Sequence, residues 1–127
     1  ATVTLIKLRE AEIRMAVGSS SRNATAILNR LGLTVFFDAV ADGNQIRHSK
    51  PNPEVFLLAA EKLGLTPAEC LVVEDADAGV EAAVRAGMRA LAVGAAKENP
   101  QATLNAESLE TFNLAAYLRR RNRIRKA

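Results

Sequence analysis

Leu71-Val72-Val73-Glu74-Asp75-Ala76-Asp77-Ala78-Gly79 is the stretch on which the fold turns. Three consecutive apolar residues read as a short strand buried on both faces, the pattern of a parallel sheet. The strand runs into two adjacent carboxylates, and a helix follows. Adjacent acids at the end of a buried strand repel each other and lose hydration. Capping of the next helix by Asp75 or Asp77 accounts for one of them. A hard divalent cation, held through oxygen ligands, accounts for both.

Working outward, the same alternation repeats. Ile13–Val17, Asp38–Ala41 and Ala90–Val93 are further apolar runs with strand character. Helix-period segments lie between them. Val3, Leu5, Ile6 and Leu8 predict an opening helix that ends near Ala11. Asn23–Leu31 follows, with Ile27, Leu28 and Leu31 on one face and Gly32 as its stop. Pro53–Leu63 is predicted to be capped by Asn52 and ended by Gly64. Thr66-Pro67-Ala68-Glu69 has capping-box spacing. Ala78–Ala86 ends at Gly87, and a last helix is predicted from about Ser108 or Phe112. Gly94–Glu107 carries the weakest pattern. Strands alternating with helices predict an α/β, doubly wound, mostly parallel sheet covered on both faces. In such folds ligands bind beyond the carboxyl ends of the strands.

The first of those ends is Gly18-Ser19-Ser20-Ser21-Arg22-Asn23. Hydroxyls, free helix amides and a cation make an anion cradle, and ordinary capping by Ser21 is the plainer alternative. After the second strand, His48-Ser49-Lys50-Pro51-Asn52-Pro53 holds a lysine ahead of a capped helix. Such a lysine either neutralises phosphate as a point charge or stays a solvated loop residue. His48, the one histidine, reads as a loop residue.

This order of hydroxyl, lysine and acid pair, each at a strand end, resembles the haloacid dehalogenase superfamily of phosphotransferases, from about Val3 to Gly94. On that resemblance Ser19 is the hydroxyl that binds the transferred phosphoryl and Lys50 the lysine that stabilises it. Glu74 and Asp75 match the acidic motif that holds Mg²⁺. The loop Ser19-Ser20-Ser21-Arg22-Asn23-Ala24 is further similar to the β-phosphoglucomutase branch. There Ser21, Arg22 and Asn23 fall at positions that grip the non-transferring phosphate of a sugar. Sugar-phosphate phosphatases share much of the lysine and acid motifs. The family's first motif, Asp-x-Asp on an N-terminal strand, supplies the nucleophile that forms an aspartyl-phosphate. No Asp precedes Asp38 here, so the nucleophile and the helical cap domain are absent from this sequence. Asp38 and Asp42 do not form the motif. By the family's topology the missing strand lies between the Ser19 and Asp75 strands. The resemblance therefore implies a core incomplete at the N-terminus, with exposed strand edges that self-association or a complementing segment would fill.

The 127 residues fit one domain, expected as a core over 1–118 and a basic tail over 119–127. The formal charge of +3 belongs to that tail: without Arg119, Arg120, Arg121, Arg123, Arg125 and Lys126 the body carries −3. No aromatic residue is interleaved with those charges, so a nucleic-acid partner is not expected. One cysteine, no apolar run of membrane length and no signal-peptide layout lead to an expected cytoplasmic location without a membrane partner. The expected ligand is a phosphorylated sugar or inorganic phosphate, with Mg²⁺. The intact enzyme is expected to be a phosphosugar mutase, or alternatively a sugar-phosphate phosphatase. This chain by itself is expected to be inactive. A non-catalytic phosphate-binding module is a further alternative. A phospho-acceptor signalling domain with Asp75 as acceptor fits less well, because such domains place their lysine after the acceptor and Lys50 precedes it.

Overall fold

The computed structural model describes residues 2–119. Its strands are β1 (Ala16–Gly18), β2 (Ala39–Ala41), β3 (Leu71–Glu74), β4 (Arg89–Ala92) and β5 (Leu104–Asn105). Its α-helices are α1 (Thr2–Glu10), α2 (Ala24–Leu31), α3 (Glu54–Leu63) and α4 (Asp77–Arg85), and a closing helical turn spans 114–119. The basic tail expected from 119 lies, apart from Arg119, outside the described residues. Among those residues no helix is long and apolar enough to cross a membrane.

All pairings are parallel, but the strands form two units, β1-β2 and β3-β4-β5. Between the facing edges of β1 and β3 lies a cleft of about 610 Å³. Its floor includes Phe56, Ala59 and Ala60 of α3, and Leu5, Leu8 and Leu114 line it from the other side. The ladders show which backbone groups face it. Asp38 N–H donates to Met15 O and Ser19 N–H to Ala41 O, so odd-numbered residues of β1 bond to β2. Arg89 N–H donates to Cys70 O and Val93 N–H to Glu74 O, so even-numbered residues of β3 bond to β4. The amides and carbonyls of Ala16 and Gly18, and of Leu71 and Val73, therefore point into the cleft. A core lacking the strand between the Ser19 and Asp75 strands, with exposed strand edges, was the expectation. An incomplete doubly wound core, split between β1 and β3, is what the chain forms.

Helices α3 and α4 cover one face through a cluster rich in alanine, including Val55, Ala60, Val80, Ala83, Ala90 and Ala92. Helix α1 and the closing turn cover the other through Leu5, Leu8, Leu91 and Leu114. Consecutive residues of β4 thus serve opposite layers, as the pleat requires. Leu91 is fully buried, and truncating such a leucine costs about 2–5 kcal/mol.

Several expected boundaries shift for identifiable reasons. The first strand begins at Ala16, because Glu12 adopts φ 59° and Ile13 N–H donates to Leu8 O, closing α1. The third strand extends through Glu74, so that acid is part of the ladder. Ile27 and Leu31, expected on the core face of α2, are 45% and 63% exposed, and Leu28 takes the buried position. Strand β5 lies in the weakly patterned stretch after Gly94; two residues are too few to carry a period. The glycine stops hold: Gly32 and Gly64 adopt φ 69° and 70° as C-caps of α2 and α3.

Candidate functional site

Three strand ends converge. Lys50 follows β2, which runs parallel to β1, and its Nζ lies 2.9 Å from Glu74 Oε2 at the end of β3. The two units therefore present the same ends to one site, with the Ser19–Asn23 loop on one wall and Glu74-Asp75 on the other.

The first wall is organised by its own hydroxyls. Ser19 Oγ accepts from Ser21 N–H at 3.1 Å, and Ser21 Oγ accepts from Asn23 N–H at 3.1 Å. Asn44 closes the loop from behind, donating from Nδ2 to Arg22 O at 2.9 Å, while Gly43 N–H donates to Ser21 O at 3.0 Å. Gly43 has to be glycine, since a Cβ there would overlap the Ser20 carbonyl. Asn23 starts α2 without a side-chain capping bond, and its side-chain amide has no partner among the described residues. The Arg22 guanidinium is likewise exposed and unpartnered among them. This wall thus carries a cation, an amide and hydroxyl protons whose acceptors are not found among the described residues. Capping of α2 by Ser21, the plainer alternative, does not occur: Ser21 Oγ accepts only from the amide of Asn23, ahead of the helix, and its proton is left over.

On the second wall Glu74 is internally satisfied. Glu74 Oε1 accepts from the amides of Asp75 and Ala76 at 3.2 and 3.3 Å, and Oε2 takes Lys50. Their side chains are 11% and 20% exposed. A Cβ at Gly79 would overlap the Glu74 carboxylate, so the first turn of α4 is open for it. The Lys50 ammonium also lies 4.8 Å from the Phe56 ring centroid. Asp77 Oδ1 accepts from Asn99 Nδ2 at 2.8 Å. Asp75 is exposed and has no partner among the described residues.

The loop that delivers Lys50 is pinned by Glu54 in the first turn of α3. Its carboxylate accepts from the amides of Arg47 and His48 at 3.0 and 2.9 Å. Those bonds, His48's first, hold its pKa below the usual carboxylate value. Asn52 Oδ1 caps the helix through Glu54 N–H at 3.0 Å, and the Lys50–Pro51 peptide is cis. His48 is exposed beside Glu54 and lies in this pinning loop. Glu54 and Gly79 were missed in the sequence; the first-turn acid of a capped helix was the available signal for Glu54.

The remaining acids separate clearly. Asp42 Oδ1 accepts from Asn44 N–H at 2.9 Å, a turn contact. Asp38 stands at the opposite end of β2. It accepts from Met15 N–H at 2.8 Å and from Arg9 at 3.1 Å, and these contacts, the amide first, lower its pKa. Neither is placed as an attacking group.

For a divalent metal, no cluster of three or more histidine, cysteine or acidic groups exists among the described residues. Asp75 supplies one unengaged carboxylate, and Glu74 would reach a metal only by giving up Lys50. That fits Mg²⁺, which keeps several waters and takes one or two carboxylates, as a partial ligand set.

The haloacid dehalogenase-like hydrolase family model matches residues 1–87. The chain is 43% identical over 90 residues to β-phosphoglucomutase of Bacillus subtilis, covering 71% of this chain and 40% of that protein. It is 44% identical over 93 residues to a fructose-1-phosphate phosphatase of Escherichia coli, covering 72% and 50%. The solved β-phosphoglucomutase of Clostridium difficile superposes with a TM-score of 0.86 at 31% identity, covering 99% of this chain and 56% of that one. The chain spans about half the length of these relatives.

Proposed function

The chain belongs to the haloacid dehalogenase-like hydrolases, and on that premise we propose that it holds the phosphoryl groups of a sugar phosphate within a phosphotransfer enzyme. One observation carries the reading. The Ser19 loop follows β1 and Lys50 follows its parallel partner β2, at the same carboxyl ends, where Arg22 and Asn23 offer donors without acceptors among the described residues. Such donors favour an anion, and a phosphate supplies the acceptors. Ser19 and Lys50 bind the transferred phosphoryl; Ser21, Arg22 and Asn23 bind a second phosphate on the same sugar. Asp75 is the first ligand for Mg²⁺, with Glu74 beside it. When bound, the metal offsets phosphoryl charge and polarises its oxygens. The protein's own part is to bind, orient and neutralise.

Covalent transfer further requires a carboxylate nucleophile in line with the phosphorus. We assign that role to none of the residues 2–119: Asp42, Glu74 and Asp77 are engaged in bonds of their own, and Asp38 lies at the far end of its strand. The reading is therefore of a chain that holds and stabilises, with an attacking Asp supplied by a complementing segment seated between β1 and β3. The relatives named for a mutase and for a phosphatase are almost equally similar, so the proposal stands at their common substrate class, sugar phosphates.

Calorimetry with inorganic phosphate, β-glucose 1-phosphate and fructose 1-phosphate, with and without Mg²⁺, tests the binding. Millimolar or tighter binding that weakens in Ser19→Ala and Lys50→Met is expected; none at millimolar ligand would sink the proposal. Adding a complementing segment that carries an Asp-x-Asp motif is expected to give Mg²⁺-dependent turnover, and its continued absence would remove the enzymatic half.

A further inference from the structure

We propose that Phe56 is a positioning residue that sets Lys50 relative to Ser19, and that Gly18 is the clearance that admits it. The inference rests on the role assigned to Lys50 above. Phe56 sits in the first turn of α3 and is 6% exposed. One face of its ring lies 4.8 Å from the Lys50 ammonium. Its edge presses on Gly18, where an added Cβ would lie 2.9 Å from Cδ1 and 3.0 Å from Cε1. Gly18 does not have a positive φ, unlike Gly32, Gly64, Gly87 and Gly94. The backbone thus does not require glycine there; the ring does. Gly18 is also the last residue of β1, directly before Ser19.

The contacts form a continuous line from β1 through the ring to the ammonium, and from there to Glu74 on β3. It crosses the cleft at a level where no strand ladder joins the two units. The ring attracts the cation through its negative face, and it also shields one side of the ammonium from water. Glu74 alone would fix a distance; the ring fixes the direction from which Lys50 reaches the site. The lysine stem has four rotatable bonds, so a second contact is what confines it.

Fluorinated phenylalanines at position 56 separate shape from charge. The 4-fluoro, 3,5-difluoro and pentafluoro rings keep nearly the same shape while draining the π face stepwise. Two measurements follow the series in the full chain: the ¹⁵N–¹H signal of the Lys50 ammonium, visible while exchange with water is slow, and the affinity for inorganic phosphate. The signal is expected to fade stepwise, and phosphate affinity to drop about three- to tenfold by the pentafluoro ring. Gly18→Ala is expected to reproduce the loss of signal with an unmodified ring. A signal that is flat across the series and in Gly18→Ala overturns the inference. A fading signal with unchanged phosphate affinity supports the positioning role and instead removes Lys50 from phosphate binding.

Discussion

The two walls of the site are built on opposite plans. The Ser19–Asn23 wall spends its hydrogen-bonding capacity on backbone amides and keeps a guanidinium and a side-chain amide unpartnered among the described residues. The Glu74 wall does the reverse: its cation and one carboxylate are already paired, on a strand backed by the buried residues of β4. The first wall is shaped to take an anion at little cost in reorganisation. The second is shaped to stand without one, so its lysine has to be shared with, or won from, Glu74. Binding strength and structural stability thus have different addresses in this molecule.

Leu91→Ala is the strongest way to break that contrast. Leu91 is fully buried in β4, directly behind the Glu74 strand, and its truncation is expected to cost about 3 kcal/mol in urea unfolding. Val17→Ala in β1, where the side chain is half-buried, is expected to cost about 1 kcal/mol. Equal costs would mean that the two units are not distinct in stability.

Glu74→Gln sharpens the comparison because its two effects have opposite signs. The amide keeps an acceptor for Asp75 and Ala76 but leaves Lys50 without its counter-charge. Stability is expected to fall by about 1–2 kcal/mol, reduced from the value for a fully buried pair because both groups retain some exposure. Phosphate affinity is expected to rise, since the lysine no longer serves two anions. A parallel fall in both would show that Glu74 places Lys50 and does not compete for it.

Arg22→Ala acts on the other wall. The side chain is exposed, so stability should change by less than about 0.5 kcal/mol. Affinity for a sugar bisphosphate is expected to drop about tenfold, with inorganic phosphate less affected. Equal losses for both ligands would place Arg22 on the transferred phosphoryl.

What the sequence disclosed follows the same division. Strand ends and helix stops were legible because Gly32, Gly64 and the run Leu71-Val72-Val73-Glu74 impose local conformations. That Lys50 and Glu74 share one end of the sheet was legible because parallel sheets collect chemistry at one end. Three things were not. Strand β5 is too short to show a period. The exposure of Ile27 and Leu31 depends on what packs over α2, which periodicity does not state. Gly79 and Gly18 are glycines because of side chains from distant parts of the chain, Glu74 and Phe56, and no local rule signals such a clearance.

The smallest expected effect concerns pH, and it falls on the β1-β2 unit. Asp38 is held below its ordinary pKa by the Met15 amide and then by Arg9, and Glu54 by the His48 and Arg47 amides. A carboxylate whose folded pKa is depressed contributes stability above its unfolded pKa. It loses that contribution as pH falls through the lower folded value. Both groups should therefore contribute their full stabilisation from pH 7 down to about 5 and lose it progressively below about pH 4. Asp38 ties the start of β1 to β2, and Glu54 ties down the loop before Lys50, so both losses fall on one unit. Hydrogen exchange between pH 5 and 3, corrected for intrinsic rates, should show amides Val17 and Ala41 losing protection before Leu91. Asp38→Asn should flatten that difference, at a cost below about 1 kcal/mol at pH 7 because the pair is largely exposed. Simultaneous loss at all three amides would mean that the molecule opens as one body, and that the cleft between β1 and β3 does not divide it energetically.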